Sequence, residues 1–217
     1  MNLHILTFLV CGLLLSINEG DENNPEKVFG KEYFPQKANG KMLFDSNLGE
    51  TSLNILSFEN KSTYSYKSGS ISYKQHFRFL SKGIYLLKTE SKALFFGTSA
   101  YYKKPILRLP FPFIVGQKWN WKGYEYFSEN DSSALSVTGE IISEEIIEVP
   151  AGKYETIKVK TKLLYSSGEV DYLTEWYAPN IGVVKFESIG KTSGLGGVIK
   201  KLFGLQTIVF ELKQVKG

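Results

Sequence analysis

The sequence predicts an all-β protein, and two observations support this prediction. Apolar and polar residues alternate with a period of two along most of the chain, as expected for strands with one buried face. In residues 156–163, for example, Ile157, Val159 and Leu163 fall on one face and three lysines fall on the other. Aromatic residues make up 14% of the chain, which also contains 20 glycines, and this composition favours pleated strands and turns over helices.

We therefore predict a curved antiparallel sheet of about ten to twelve strands that forms an open barrel or a β-sandwich. We expect no long helix after the N-terminal segment. Short turns rich in Gly, Ser, Asn and Pro separate the alternating runs, as they do between neighbouring antiparallel strands. The predicted strands are 52–59, 62–66, 71–80, 84–90, 93–102, 119–127, 134–149, three strands within 149–189, and 206–215.

The N-terminal segment is typical of a signal peptide. An apolar run of about 13 residues, from Ile5 to Ile17, is too short to span a bilayer, and a polar segment follows it directly. We expect residues 1–20 to be the signal peptide, residues 21–30 a polar leader, and residues 31–217 a single β domain. The protein is then extracytoplasmic, either periplasmic or secreted.

The single cysteine, Cys11, lies inside this apolar run. Cleavage near Gly20 would leave a mature protein without cysteine, which excludes disulfide bonds and thiol chemistry from its function. Two alternatives remain open at this stage, because the segment before the run is weakly basic. One is lipoprotein processing at Cys11, and the other is an uncleaved membrane anchor.

Charge and histidine content exclude several classes of function. The formal net charge is +4, and the distribution of lysines along the chain predicts a solvated outer sheet face rather than a nucleic-acid surface. The second of the two histidines, His76, lies between Lys74 and Arg78 on a predicted wet face, so multi-histidine metal sites cannot form. No GxSxG motif is present. We expect no metal, no cofactor and no nucleic-acid partner.

Paired carboxylates are the remaining route to catalysis. Asp171 and Glu175 share a strand face but lie roughly 13 Å apart at the usual rise, and Glu187 could approach Glu175 from the next strand. We expect these acids to pair with Lys158, Lys160, Lys162 and Lys185 on a solvated face. The prediction is that the protein is not an enzyme, with a carboxylate-based glycan-active enzyme as the alternative.

Aromatic residues are the best candidates for a binding site. Trp119 and Trp121 share one strand face, Tyr172 and Trp176 share another, and Phe186 follows on the next strand. These five residues are the candidate ligand-binding residues of an apolar pocket, and simple core packing is the alternative.

The Gly-rich stretch 193–201 lacks both common phosphate-loop patterns. We predict instead a flap formed by Val198, Ile199, Leu202 and Phe203. Contact between this stretch and a membrane surface, through Lys200 and Lys201, is a further option.

Four phrases of the sequence resemble those of a known family. They are Phe34-Pro35, FPFIVGQKW at 111–119, VPAGKYETIK at 149–158 and EWYAPNIGVVK at 175–185. In this order they are similar to a family of exported bacterial β-domain proteins of unknown function, over about Tyr33 to Gln214. The resemblance implies an envelope or secreted setting and a sheet-rich domain related to the half-barrels of lipoprotein carriers. It transfers no catalytic residues.

Together these observations predict a non-enzymatic exported bacterial envelope domain that binds an apolar ligand or an envelope partner. A structural or interaction module of the cell envelope is the alternative, with partners at the sheet edges or at the 190–204 loop.

Overall fold

The computed structural model describes residues 30–35, 41–190 and 205–216, which form one antiparallel sheet of twelve strands. A three-residue 3-10 helix, Lys31–Tyr33, precedes the sheet. The strands are β1 (Lys41–Ser46), β2 (Thr51–Phe58), β3 (Lys61–Ser68), β4 (Ile71–Leu80), β5 (Gly83–Ala93), β6 (Phe96–Pro110), β7 (Lys118–Tyr126), β8 (Ser132–Val149), β9 (Gly152–Tyr165), β10 (Val170–Ala178), β11 (Gly182–Gly190) and β12 (Thr207–Lys216).

Each strand pairs with its neighbours in sequence, and β1 also pairs with β12, so the sheet closes into a barrel. The prediction of an all-β fold with ten to twelve strands is confirmed. The barrel is closed rather than open because the register from Lys41 with Lys216 to Ser46 with Phe210 joins the first strand to the last. Within the described part of the chain, no helix has the length and hydrophobicity needed to cross a bilayer.

The two ends of the barrel differ in their connections. The upper end carries the turns between β1 and β2, β3 and β4, β5 and β6, β7 and β8, and β9 and β10. The lower end carries the intervening turns and the N-terminal residues 30–35.

The predictions for the signal peptide, for Cys11 and for the flap residues Val198, Ile199, Leu202 and Phe203 lie outside the described residues.

An aromatic plug closes the lower end. Phe34 is buried, and its ring centroid lies 4.8 Å from that of Tyr64 and 4.9 Å from that of Phe77. The Tyr64 hydroxyl donates a hydrogen bond to the Pro35 carbonyl, and the Asn180 backbone N–H donates to the Glu32 carbonyl at 2.6 Å. These contacts fix the segment before β1 across the barrel, so the interior is sealed from this side.

The seam between β6 and β7 has little regular backbone pairing. Within the described residues, the pairing of Tyr101 with Tyr126 is the only register pair between these strands. Opposite Leu87, strand β6 inserts residues 102–105, and this irregularity bends its backbone away from regular pairing. Side chains replace the missing ladder, since the Trp119 indole donates to the Leu107 carbonyl at 3.1 Å.

The predicted boundary between β5 and β6 is wrong. The sequence predicts a strand from Ala93 to Tyr102, but Ala93 ends β5, and β6 runs from Phe96 to Pro110. Leu94 has a φ of 55°, so the chain turns there in the left-handed region. The alternation of apolar residues did not indicate this turn because Leu94, Phe95 and Phe96 are all apolar.

Candidate ligand cavity

A cavity of about 130 Å³ lies inside the barrel between its middle and its upper end. Its volume is close to the roughly 150 Å³ of an apolar protein cavity that stays dry and accepts benzene. Most of its wall is apolar or aromatic. The apolar and aromatic side chains on this wall include Phe44, Leu48, Tyr66, Ile71, Tyr73, Leu86, Ile106, Val137, Leu163, Leu173, Val183, Phe186, Ile208 and Phe210.

One side of the wall is a row of stacked rings. The ring centroids of Phe186 and Phe210 lie 5.6 Å apart, those of Phe210 and Tyr66 lie 6.2 Å apart, and those of Tyr66 and Tyr73 lie 6.2 Å apart. Stacked aromatic pairs of this kind give a flat, polarisable apolar surface. Burial raises the pKa of Tyr66 and that of Tyr73, so both phenols are neutral across the physiological pH range.

The deep end of the cavity is polar. Arg108 and Glu175 are both buried there, and the Arg108 Nη2 donates to Glu175 Oε2. The same guanidinium donates to Thr161 Oγ1 at 3.4 Å and to the Tyr177 hydroxyl at 3.5 Å. Burial alone would lower the pKa of Arg108, but the neighbouring Glu175 outweighs it and the pKa is raised overall. Arg108 therefore stays charged, and Glu175 is its ion-pair partner inside the barrel.

A second acid lies on the same strand, nearer the upper end. Asp171 is buried in the cavity wall, and the Tyr165 hydroxyl donates to its Oδ2 at 3.3 Å. Burial and the Asp171 charge both raise the pKa of Tyr165. Tyr165 therefore stays protonated and remains a donor to Asp171.

The expectation that Asp171 and Glu175 lie on a solvated face is wrong. They pair with Leu163 and Val159 of β9, whose side chains point into the barrel, so both acids point inward too. Burial is tolerated because Arg108 and Tyr165 supply partners. Glu187 does lie on the outside, and its carboxylate is 3.4 Å from the Lys185 ammonium.

Of the five candidate ligand-binding residues, Phe186 lines the cavity. Trp119 and Trp121 are buried on the inner face of β7 but pack into the wall instead of lining this space. Trp119 lies over Gly139, where a Cβ would come within 2.1 Å of its ring, and its indole bridges the seam to β6. Trp121 lies over Gly123 and meets Tyr102 edge to face at 6.2 Å.

The other two candidates, Tyr172 and Trp176, share a strand face as predicted, but it is the outer one. Tyr172 is exposed, whereas Trp176 is covered on the outside by the ammonium groups of Lys158 and Lys185, at 5.0 and 5.3 Å from its ring. Its indole N–H donates to Glu145 Oε1 at 2.6 Å. This hydrogen bond, with Lys158, lowers the pKa of Glu145, so the cluster is an ionised surface network rather than part of a pocket.

The comparisons with known proteins give a similarity in sequence and a similarity in fold. Residues 120–199 match the model of a family described as DUF3108-like. The chain is similar to the crystal structure of a candidate lipoprotein from Parabacteroides distasonis, with 16% identity, a TM-score of 0.46, and coverage of 85% of this chain and 98% of that chain. It is also similar to a candidate exported protein with a YmcC-like fold from Bacteroides fragilis, with 16% identity, a TM-score of 0.45, and the same two coverages. No curated protein matches the chain.

Sequence reasoning missed Arg108 as a site residue. Arg108 stands alone in the apolar run from Pro105 to Pro110, and a charged residue in such a run is a signal of a buried pair. The sequence predicts its partner Glu175 as a surface acid, with a catalytic carboxylate pair as the alternative. Because a buried charge needs a partner of opposite charge, an ion pair between Arg108 and Glu175 could have been predicted.

Sequence reasoning also missed a buried carboxyl group outside the cavity. Glu125 shares the inner face of β7 with Trp119 and Trp121, and burial alone raises its pKa to about 7. Its charge also adds to the raised pKa of Tyr102 on β6, after the larger effect of burial. The period of two from Trp119 already places Glu125 on this face.

No group of three or more His, Cys, Asp or Glu side chains that could hold a metal ion occurs in the ranges that the structure describes. His76 lies on the outer face of β4, with its Nε2 3.4 Å from Glu90 Oε1.

Proposed function

We propose that this chain is a non-enzymatic exported bacterial envelope protein that holds an apolar ligand inside the barrel. The observation that carries the proposal is the cavity, whose wall is mostly apolar and aromatic and whose buried Arg108 and Glu175 form an ion pair with each other. Ligand sites of this composition recur in the interiors of small β-barrels. The row of rings from Phe186 to Tyr73 is the surface that such a ligand contacts.

The nature of the walls indicates the class of ligand. A molecule that enters the cavity exchanges water for aromatic and aliphatic contacts, which favours an apolar body over a sugar or a phosphate. The Arg108 and Glu175 pair at the deep end adds a polar anchor for one end of the ligand. A short acyl chain or a small ring system fits the volume of about 130 Å³.

The carboxylates support a binding role over a hydrolytic one. Glycoside hydrolysis needs two acids that face each other across an accessible cleft. Here Glu175 is held by Arg108, and Asp171 accepts a hydrogen bond from Tyr165, so both carboxylates have structural partners. The extracytoplasmic setting rests on the predicted signal peptide and on the resemblance to exported bacterial proteins.

Adjacent residues on β10 provide a matched test. Leu173 points into the cavity, whereas Tyr172, next to it, is exposed on the outer face. We expect benzene, a neutral apolar probe that a cavity of this volume accepts, to bind the wild-type protein in isothermal titration calorimetry. Leu173→Trp should weaken this binding at least tenfold because the indole fills the cavity, and Tyr172→Trp should leave it within about twofold. Equal binding by both variants would place the probe elsewhere and overturn the proposal.

A further inference from the structure

The cationic residues are concentrated in one part of the barrel. From residue 61 to residue 122 the sequence contains a single acid, Glu90. The same stretch contains the basic residues Lys61, Lys67, Lys74, Arg78, Lys82, Lys88, Lys92, Lys103, Lys104, Arg108, Lys118 and Lys122. Arg108 is inside the barrel, and the others belong to the outer face and the turns of β3 to β7, which we call the basic wall.

Few acids neutralise the basic wall. Glu90 lies 2.6 Å from the Lys88 ammonium and 4.0 Å from that of Lys74. Lys118 lies 3.5 Å from Glu140 on β8. Within the described residues, no other ion pair involves a lysine or arginine of the basic wall, so this side of the barrel carries a large positive field.

An apolar hairpin tip projects from the middle of this wall at the upper end. Leu94 and Phe95 form the turn between β5 and β6, Phe96 begins β6, and the exposed fractions of the three residues are 52%, 96% and 64%. Lys92 lies just before this tip, and its register partner Ser72 is also the partner of Lys67, so two exposed lysines lie in a row across β5 and β3 on one side of the tip. Three consecutive large apolar residues in water are unfavourable unless a partner covers them.

We propose that the basic wall and the Leu94–Phe96 tip dock on a bilayer surface rich in anionic lipids. Lysines near such a surface gain from its negative potential, and aromatic rings enter the boundary between headgroups and acyl chains. The positive charge of the basic wall is complementary to the anionic headgroups, and the short apolar tip is complementary to the boundary with the acyl chains. In nucleic-acid binding, aromatic rings stack on bases within the basic groove, whereas here the rings project beyond the end of the barrel.

Docking through the tip places the upper end of the barrel nearest the membrane, together with Lys67 and Lys92 of the basic wall, whereas Lys61, Arg78, Lys82 and Lys118 lie towards the lower end. Lys67 belongs to the basic wall and also borders the cavity, so the cavity lies towards the same end of the barrel as the docking surface. The docking surface does not depend on the proposed ligand. It depends only on the residues of the basic wall and the Leu94–Phe96 tip.

Vesicle flotation with the protein purified from its own host provides the test. We expect binding to vesicles of phosphatidylcholine with 30% phosphatidylglycerol, and at least tenfold weaker binding to pure phosphatidylcholine vesicles. Raising the salt concentration from 50 to 500 mM should weaken the anionic binding by a similar factor. Absence of binding to the anionic vesicles at 50 mM salt would overturn the proposal.

Matched variants locate the surface. Lys67→Glu with Lys92→Glu should weaken vesicle binding at least tenfold, and Lys160→Glu with Lys162→Glu, the same charge change on the exposed face of β9, should change it less than twofold. Equal loss in the two double variants would show that net charge alone drives binding and would overturn the assigned face.

The apolar tip has its own control. Phe95→Ser should weaken binding about tenfold, whereas Phe58→Ser, at a 74% exposed phenylalanine near the lower end, should have less than a twofold effect. An unchanged affinity for Phe95→Ser would remove the tip from the docking surface. Tighter binding to a single-stranded RNA than to vesicles, lost in the Lys67 and Lys92 variant, would overturn the assignment to lipid.

Discussion

Replacing Glu125 with glutamine should change how the stability of the protein depends on pH. Burial raises the pKa of Glu125 from 4.5 to about 7 in the folded protein. The folded state therefore binds more protons than the unfolded state between these two values, and stability falls as the pH rises. The contribution is fully present below pH 4.5 and is lost as the pH rises through about 7.

The magnitude follows from the difference between the two pKa values. Each unit corresponds to about 1.4 kcal/mol, so ionisation of Glu125 should lower the free energy of unfolding by about 2 to 3 kcal/mol between pH 5 and pH 8. Glu125→Gln replaces the titratable carboxyl group with a neutral amide and should abolish this part of the dependence of stability on pH. The titratable groups that interact with Glu125 are Tyr102 and Tyr165, and both are present in wild type and variant.

Urea unfolding at pH 5, 6, 7 and 8 measures the effect. We expect the difference in the free energy of unfolding between Glu125→Gln and wild type to grow by about 2 to 3 kcal/mol from pH 5 to pH 8, in favour of the variant. Glu129→Gln, at an exposed position in the following turn, is the control and should run parallel to wild type. Parallel curves for Glu125→Gln and wild type would show that the carboxyl group is solvated, and would refute the reasoning.

Two further predictions concern the interior and the wall of the barrel. Arg108→Met leaves Glu175 buried without its partner and should lower the free energy of unfolding by about 3 to 5 kcal/mol, while Arg108→Met with Glu175→Leu should recover at least half of this loss in urea unfolding. An equally unstable double variant would contradict the ion-pair explanation. Gly139→Ala places a methyl group against the Trp119 ring and should cost about 1 to 3 kcal/mol, whereas Gly97→Ala, whose Cβ would meet only ordinary contacts, should cost less than about 1 kcal/mol. Similar thermal stabilities for the two glycine variants would show that Trp119 does not depend on this space.

The strands were predictable because alternation is a local property. The sequence predicts that His76, between Lys74 and Arg78, lies on a wet face, and the structure places it on the outer face of β4. Closure was not predictable, because the pairing of β1 with β12 joins residues about 170 positions apart. Neither strand carries a local signal that identifies the other.

The alternation pattern does not decide which face of a strand points into the barrel when both faces carry polar and apolar residues. On β10, one face carries Asp171 and Glu175, and the other carries Tyr172 and Trp176. Because aromatic residues are usually buried, the sequence predicts that the face with Tyr172 and Trp176 points inward, and this prediction is wrong. The deciding fact is the position of Arg108 on β6, which pairs with Glu175 across the barrel and lies outside any local window.

The basic wall illustrates how whole-chain numbers conceal local charge. A formal net charge of +4 suggested lysines spread evenly over a solvated surface. The stretch from residue 61 to residue 122 contains one acid, and the compensating acids lie before and after it in the chain. Because β3 to β7 are neighbours in the barrel, this asymmetry in sequence becomes an asymmetry in space.

Native mass spectrometry of the protein purified from its own host tests most directly whether the barrel interior holds an apolar ligand. We expect a species heavier than the polypeptide by the mass of one small apolar molecule, which is released on unfolding. The Leu173→Trp variant should show the polypeptide mass alone, and Tyr172→Trp should retain the added mass. An identical spectrum for wild type and Leu173→Trp, with no added mass in either, would contradict a ligand in the cavity.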